Sequence, residues 1–349
     1  MKLADRAGLH QLGDGHLSVP TDKGSNGGVK LASLVAGMAA GADSIDDMAL
    51  LRHGAMGTLF DRPYAPSTLG SFLRKFTFGH VRQTDAIASR FVRALAEHTG
   101  LLGHESDTGT VMVDIDDTIV EVYGHAKQGA SFGYSGVRGL NALLATVSTE
   151  QIAPVIAAQR LRKGSAGSPR GAARLATDTL ALIRRTHLHG RDVLVRGDSA
   201  FYSHSMVTAC LSAGAEVSVT VRMDPAVKRA IATIDDDAWN TINYTDAIFD
   251  EHTNRWISRA EVAEVDFTAF TSKPKNDQVP GRLVVRRIPD LNPRAASGQA
   301  SLFDTWRFHA FFTTTSVEQF DTVAADKTHR AHAIIENVHA DLKASALAH

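Results

Sequence analysis

The stretch VMVDIDDT at residues 111–118 places three carboxylates directly after an apolar run. The apolar residues predict a short buried strand at 111–115, and residues 118–122 predict a second one. Because alternate residues of a strand point to the same side, Asp114 and Asp116 share one face and Asp117 lies on the other. Carboxylates at a strand end stand where α/β folds place their sites. The plain alternative is an acidic turn.

Two more acids occur in settings that suit a shared site. Asp198 follows a predicted strand at 193–196, and Glu336 lies in a helix predicted from about Lys327 to Leu347. Offsets of 4, 3 and 7 residues align one stripe of that helix, which carries His332, Glu336, His339 and Lys343. Two hard cations about 3.5–4 Å apart need carboxylates from separate elements. Two strands and a helix can supply them, and Mg²⁺ prefers such oxygen ligands.

The composition is that of a soluble globular protein of about two domains, with 349 residues of which 44% are hydrophobic. The chain has 37 Lys and Arg residues against 38 Asp and Glu residues, so its positive and negative charges nearly balance. Only the distribution of charge along the chain can therefore indicate a partner. The single cysteine, Cys210, excludes an intrachain disulfide and a Cys-rich zinc site. No run reaches the ~20 apolar residues of a spanning helix. No signal peptide is visible, and we expect a cytoplasmic protein without a membrane partner.

Two segments concentrate positive charge. The N-terminal third is predicted to be helical, with helices at 68–76 and 81–98 and a basic surface that includes Arg74 and Lys75. This arrangement fits a helix-turn-helix DNA reader; the alternative is a helical bundle with solvated cations. Residues 151–199 contain nine Lys or Arg and three acids. We expect the surface from Arg160 to Arg196 to hold DNA backbone, with Arg170 and Arg174 among the contacts.

Several ordered blocks of this sequence are similar to those of the group-one DDE transposases of bacterial insertion sequences. The blocks are Ser44–Asp47, Pro66–Leu69, Asp114–Thr118 with the following turns Tyr123-Gly124, Gln128-Gly129 and Gly133-Tyr134, Arg196–Tyr202, and His329–Lys343. The resemblance implies an α/β fold: a ribonuclease H-like mixed sheet with flanking helices, interrupted by a β-rich insertion and preceded by a helical N-terminal domain. The implied boundaries are 1–105 for the helical DNA-binding domain, 106–216 for the first part of the core, 217–315 for the insertion and 316–349 for the final core helix.

The resemblance also implies the reaction, which is metal-dependent DNA cleavage and strand transfer. Asp116, Asp198 and Glu336 would form the catalytic triad and bind Mg²⁺, with Mn²⁺ as an alternative ion and Asp114 as an alternative first acid. DNA contacts are expected from Lys343, His332, Arg170, Arg174, Arg74 and Lys75. The implied partners are terminal inverted repeats and target DNA, bound by a homodimer in the bacterial cytoplasm in association with the nucleoid.

The last block departs from the related Tyr-Arg-Glu-Lys signature. His329 and His332 stand where Tyr and Arg are expected, while Glu336 and Lys343 keep their spacing. Similar transposases also continue past this helix, whereas this chain ends six residues after Lys343. The sequence therefore predicts weak or absent excision and frayed residues after about Ala344, with specific DNA binding retained.

Two other functions fit parts of the sequence. A haloacid-dehalogenase-type phosphatase would use Asp114 as nucleophile and Asp116 as acid/base, and would hydrolyse p-nitrophenyl phosphate without DNA. A DNA-binding remnant would use residues 40–100 alone and bind DNA equally well with EDTA. His332 and Glu336 resemble part of a zinc site without an identifiable third ligand. Trp306 is a candidate for stacking on an unpaired base.

Overall fold

The structure, a computed structural model, describes residues 1–60, 63–124, 127–250, 255–289 and 306–344, and for 243–250, 255–259 and 289 only the backbone. The helices are α1 Lys2–Arg6, α2 Leu9–His16, α3 Gly27–Ala39, α4 Pro66–Leu73, α5 Phe78–His98, α6 Ala172–Ile183, α7 His204–Ser212, α8 Pro225–Ile231, α9 Thr322–Arg330 and α10 Ile334–Ala344. The strands are β1 Val111–Glu121, β2 Ser131–Phe132, β3 Arg138–Ser148, β4 Val155–Lys163, β5 Val193–Gly197, β6 Glu216–Thr220, β7 Asn240–Asp250, β8 Arg255–Ala269, β9 Val279–Pro289 and β10 Trp306–Thr313. Within these residues no helix is both long and apolar enough to cross a membrane.

The chain divides into two compact units, Met1–Asp192 with the segment from Ile334, and Val193–Ala333. In the first unit the N-terminal helices bury a core that includes Met48, Leu69 and Phe72. Helix α5 begins three residues before its predicted start because Thr77 and His80 form a reciprocal capping box, in which the His80 ring accepts the Thr77 N–H at 2.9 Å. Sequence reasoning missed this box because a histidine replaces the usual Glu or Gln.

The strands of the first unit form an antiparallel group in which β3 pairs with β1, β2 and β4. The prediction of two short strands at 111–115 and 118–122 is wrong, since β1 is a single strand of eleven residues. Asp116 pairs in register with Leu144 and Asp117 with Leu143. The acids therefore lie in the middle of a strand, not at its end.

In the second unit β5 and β6 are parallel, and the crossover between them contains α7. Strand β10 pairs antiparallel with β6 and β9, and β8 pairs antiparallel with β9 and β7. The order along the chain is β1, β2, β3, β4, α6, β5, α7 and β6. This mixed α/β organisation with flanking helices is consistent with the predicted ribonuclease H-like core.

The single C-terminal helix predicted for 327–347 is wrong, because α9 ends at Arg330 and a 3₁₀ turn at Ala331–Ala333 precedes α10. The His332 ring Nδ1 donates to the His329 carbonyl oxygen at 2.7 Å. Such a local bond from a side chain to the backbone competes with the helical ladder. The residues after Ala344, where fraying was predicted, lie outside the described residues.

Candidate active site

Asp116 faces α10 from the middle of β1. The His339 Nδ1 atom lies 3.5 Å from the Asp116 Oδ2 atom, and the Asp116 side chain keeps 27% of its surface exposed. Burial lowers the pKa of His339, as does nearby Lys343, while Asp117 acts in the opposite direction. The His339 Nε2 atom is buried without a hydrogen-bond partner among the described residues. A neutral imidazole therefore packs beside a carboxylate that remains accessible.

The three acids of β1 differ sharply in their surroundings. Asp114 is 1% exposed. Asp117 accepts from Arg162 Nη2 at 2.9 Å and from the Asn141 side-chain amide. As the strand alternation predicted, Asp116 and Asp117 have different partners on opposite faces. Of the three, Asp116 combines accessibility with a position against α10.

Asp198 lies in the second unit, directly after β5. Its exposed carboxylate accepts the Ala200 N–H at 2.9 Å and caps the 3₁₀ turn Ser199–Phe201. The strand before it is buried throughout, because Val193–Gly197 are all inaccessible. Asp198 thus follows a fixed strand, as the sequence predicted.

Helix α10 carries two more of the predicted site residues. Glu336 is exposed in its first turn and Lys343 in its last, where Lys343 lines a cleft beside β1. Ile335 is fully buried and anchors the helix. Asp116 and Glu336 are therefore carried by two elements that pack together in one unit.

The two histidines before α10 do not continue its stripe, which corrects the alignment predicted for His332. His332 lies in the 3₁₀ turn, and its ring is directed to His329. His329 is a core residue whose ring nitrogens bond Ser218 at 2.8 Å and Thr220 at 2.9 Å, and whose ring stacks on Phe311. His329 therefore serves packing.

The family follows from a comparison of the whole sequence with known protein families. The sequence model of the transposase DDE domain, group 1, matches residues 27–295, which is more than half of the chain. This chain belongs to the group 1 DDE transposase family. The matched part of the transposase contains Asp116 and Asp198 and ends before Glu336. No curated protein matches the chain.

A solved structure with some likeness to this transposase is a cryo-EM structure of a piggyBac transposase synaptic complex with hairpin DNA. The identity is 11% and the TM-score 0.37. The alignment covers 91% of this chain and 58% of that one, so the transposase spans less than two thirds of that solved chain.

Several cations of residues 151–199 of the transposase are less accessible to DNA than the sequence predicted. Arg160 pairs with Asp85 and Asp178, Arg162 pairs with Asp117, and Arg196, 3% exposed, donates to the Thr328 carbonyl oxygen. Carboxylates and carbonyl oxygens far away in sequence thus take up several cations of this segment, and its contact with DNA stays a prediction.

Other predicted DNA contacts do lie at the surface. Arg170 is exposed, and Arg174 is 72% exposed while it pairs with Asp178 at 3.0 Å. Arg74 and Lys75 are exposed in the connection between α4 and α5. These four side chains remain candidates for contact with phosphate.

DDE transposases generally use divalent metal ions. Among the described residues no three or more His, Cys, Asp or Glu side chains converge into a ready metal cluster. The donor chemistry nevertheless fits a hard cation, because Asp116, Asp198 and Glu336 are accessible carboxylates. His332 pairs with its own turn, which leaves the zinc interpretation without support from its geometry.

Proposed function

We propose that this transposase cleaves and joins DNA strands at the ends of an insertion sequence, using Asp116, Asp198 and Glu336. The accessible Asp116 carboxylate in the middle of β1, against the helix that carries Glu336, supports this most directly. Asp198 stands at the end of a buried strand in the other unit. Membership of the DDE family supports a reaction of this class.

Mg²⁺, or Mn²⁺ in its place, would be held by these three carboxylates. When bound, such ions activate a water or 3′-hydroxyl and stabilise the leaving oxygen. The chain's own contribution is to hold anionic oxygens in place. Because burial lowers the pKa of His339, its ring is neutral near pH 7 and adds no positive charge beside Asp116.

The DNA partners in this proposal are the terminal inverted repeats and the target. Arg170, Arg174 and Lys343 would contact phosphates, and Arg74 and Lys75 would do so from the α4–α5 connection. The helices of 1–105 would read the DNA ends, 106–216 and 316–349 would form the core, and 217–315 would be the insertion. The acting form would be a homodimer on DNA, in the bacterial cytoplasm with the nucleoid.

Single carboxylate substitutions test the triad. Asp116→Asn, Asp198→Asn and Glu336→Gln should each lower metal-dependent nicking of terminal-repeat DNA at least about 100-fold. DNA binding in EDTA, measured by fluorescence anisotropy, should stay within about twofold, because the phosphate contacts lie elsewhere. Asp341→Asn, an exposed acid of α10, and the exposed Asp192→Asn are matched controls that should nick normally.

Each failure of this test has a defined meaning. Normal nicking by Asp116→Asn together with none by Asp114→Asn would move the first acid to Asp114. Hydrolysis of p-nitrophenyl phosphate without DNA would favour the phosphatase alternative, although its required nucleophile, Asp114, is buried. Binding without nicking in Mg²⁺ or Mn²⁺ would leave only the DNA-binding function.

A further inference from the structure

A cleft of about 390 Å³ opens beside the second half of β1. Its walls include Thr118 and Val120 of the strand, Tyr123 and Tyr134 of the following turns, and Lys343 from the last turn of α10. All of these residues belong to the first unit. The cleft therefore combines aromatic rings with a cation on one continuous surface.

The two tyrosines are unusually exposed, Tyr123 at 79% and Tyr134 at 82%. Exposed aromatic groups that gather in one patch commonly mark a binding surface. The Tyr123 hydroxyl donates to the Glu121 carboxylate at 3.2 Å, which raises the pKa of the phenol. Both rings are thus open to solvent, and Tyr123 lies beside an accepting carboxylate.

Their exposure does not come from loose attachment. Arg138 Nη1 donates to the carbonyl oxygens of Val122 and Gly124 at 3.0 and 2.9 Å, which fixes the backbone on both sides of Tyr123. Before Tyr134, a Cβ at Gly133 would come within 2.5 Å of the Gly164 carbonyl oxygen, so this position requires glycine. Both rings stand on backbone that is held in place.

The aromatic rings, the lysine and the carboxylate of the cleft complement the base and the phosphate of an unpaired nucleotide. Aromatic side chains stack on any base face and Lys binds phosphate. A carboxylate such as Glu121 accepts from the exocyclic amine of a base. In a duplex the base faces are covered by their neighbours, so stacking rings require a nucleotide that has left the stack.

The position of the cleft connects it to the candidate site. Thr118 and Val120 follow Asp116 on the same face of β1, at about 7 and 13 Å along a strand. Resting on the proposed function, we propose that this cleft binds an unpaired nucleotide of the DNA strand that is processed. Its base stacks on Tyr123 and Tyr134, and its phosphate binds Lys343.

Binding to two DNA probes tests this role in EDTA, where no cleavage occurs. One probe is a blunt duplex, and the other is the same duplex with a short 3′ single-stranded extension. The full chain should prefer the extended probe by about tenfold. Tyr123→Ala combined with Tyr134→Ala should remove that preference and leave blunt-duplex binding unchanged. The corresponding double Phe variant should retain it, because the rings remain.

Phe132→Ala is the matched control, since Phe132 is exposed on β2 but does not line the cleft. It should keep the preference for the extended probe. Equal binding of both probes by the unaltered chain, equal loss on both probes in the double Ala variant, or loss in Phe132→Ala would each overturn the proposal. Because binding is read without metal, absence of nicking would refute the proposed function and not this cleft.

A photo-crosslink locates the nucleotide directly. With 5-iodouracil in the single-stranded extension, the crosslinked peptide should contain Tyr123 or Tyr134. A crosslink confined to residues outside the cleft would overturn the assignment. Circular dichroism of each variant verifies folding, which truncation of two exposed side chains should leave intact.

Discussion

Asp116 and Asp117 are neighbours in sequence whose removal should have different consequences. The Arg162 side chain is 9% exposed and depends on Asp117 for its counter-charge, while burial lowers its pKa. Asp117→Asn should cost about 3–5 kcal/mol in free energy of unfolding, because it leaves a buried cation without a charged partner. Asp116→Asn should cost less than about 1 kcal/mol, since its side chain meets solvent and its contact with the neutral His339 is not an ion pair.

Urea unfolding followed by far-UV circular dichroism measures both losses. Asn141→Ala is a useful companion, because it removes a neutral partner that Asp117 and Arg162 share while their ion pair stays. It should cost an intermediate amount. Equal losses for the two Asp variants would show that the different surroundings of these acids do not affect the free energy of unfolding.

His329 should make stability depend on pH. Burial lowers its pKa well below 6.5, and His332, Arg196 and Arg286 add to the effect. Below pH 6.5 the unfolded chain takes up a proton at this position and the folded chain does not. The neutral His329 should therefore contribute its full stabilisation above pH 6.5. Below that pH the free energy of unfolding should fall by up to about 1.4 kcal/mol per pH unit.

Replacement of His329 by Gln isolates this contribution. Gln can bond Ser218 or Thr220 without titrating, so the variant should lose less stability than the unaltered chain between pH 6.5 and 5. Denaturant unfolding at several pH values measures the two slopes. Parallel slopes would mean that the acid sensitivity arises at other groups.

Strand β1 and helix α10 show what local pattern could and could not predict. Apolar alternation located β1 and placed Asp116 and Asp117 on opposite faces, but the acids suggested a break between two strands. The strand continues because Arg162 of β4 neutralises Asp117, a partner 45 residues away in sequence. Helical spacing likewise located Glu336 and Lys343, but it missed the turn at Ala331–Ala333, where the His332 ring bonds the His329 carbonyl oxygen.

Within residues 151–199, the exposed cations near the start of α6 should account for most of the salt dependence of DNA binding. Reversing the charge of Arg170 and Arg174 together should reduce the log–log salt slope by about 2, since each phosphate contact contributes about 0.9. The double reversal of Lys228 and Arg229, exposed cations of α8, should leave the slope unchanged. Anisotropy titrations over a range of salt measure it, and an unchanged slope for the Arg170 and Arg174 variant would place the DNA elsewhere.

Pairing of charges between distant parts of the chain explains why several cations counted in the sequence are engaged within the fold. Arg160 joins Asp85 of α5 to Asp178 of α6, and burial raises the pKa of Asp85 to about 6. In the second unit Arg282 pairs with Glu264, and it also donates to the carbonyl oxygens of Thr315, Ser316 and Phe320. A count of charges in one segment cannot include such partners, because they come from elements far away in sequence.

The reactivity of the single cysteine measures how rarely the second unit opens around α7. Cys210 is fully buried in α7, which packs on β6, and burial raises the pKa of its thiol to about 12. Because the thiolate is the reactive form, labelling requires an opening that exposes this helix. At pH 8 the folded chain should react with a thiol reagent at least about a thousandfold more slowly than the chain in denaturant. Cys210→Ser supplies the unreactive baseline. Labelling of the folded chain at the rate of the denatured chain would mean that the packing of α7 on β6 does not protect the Cys210 thiol.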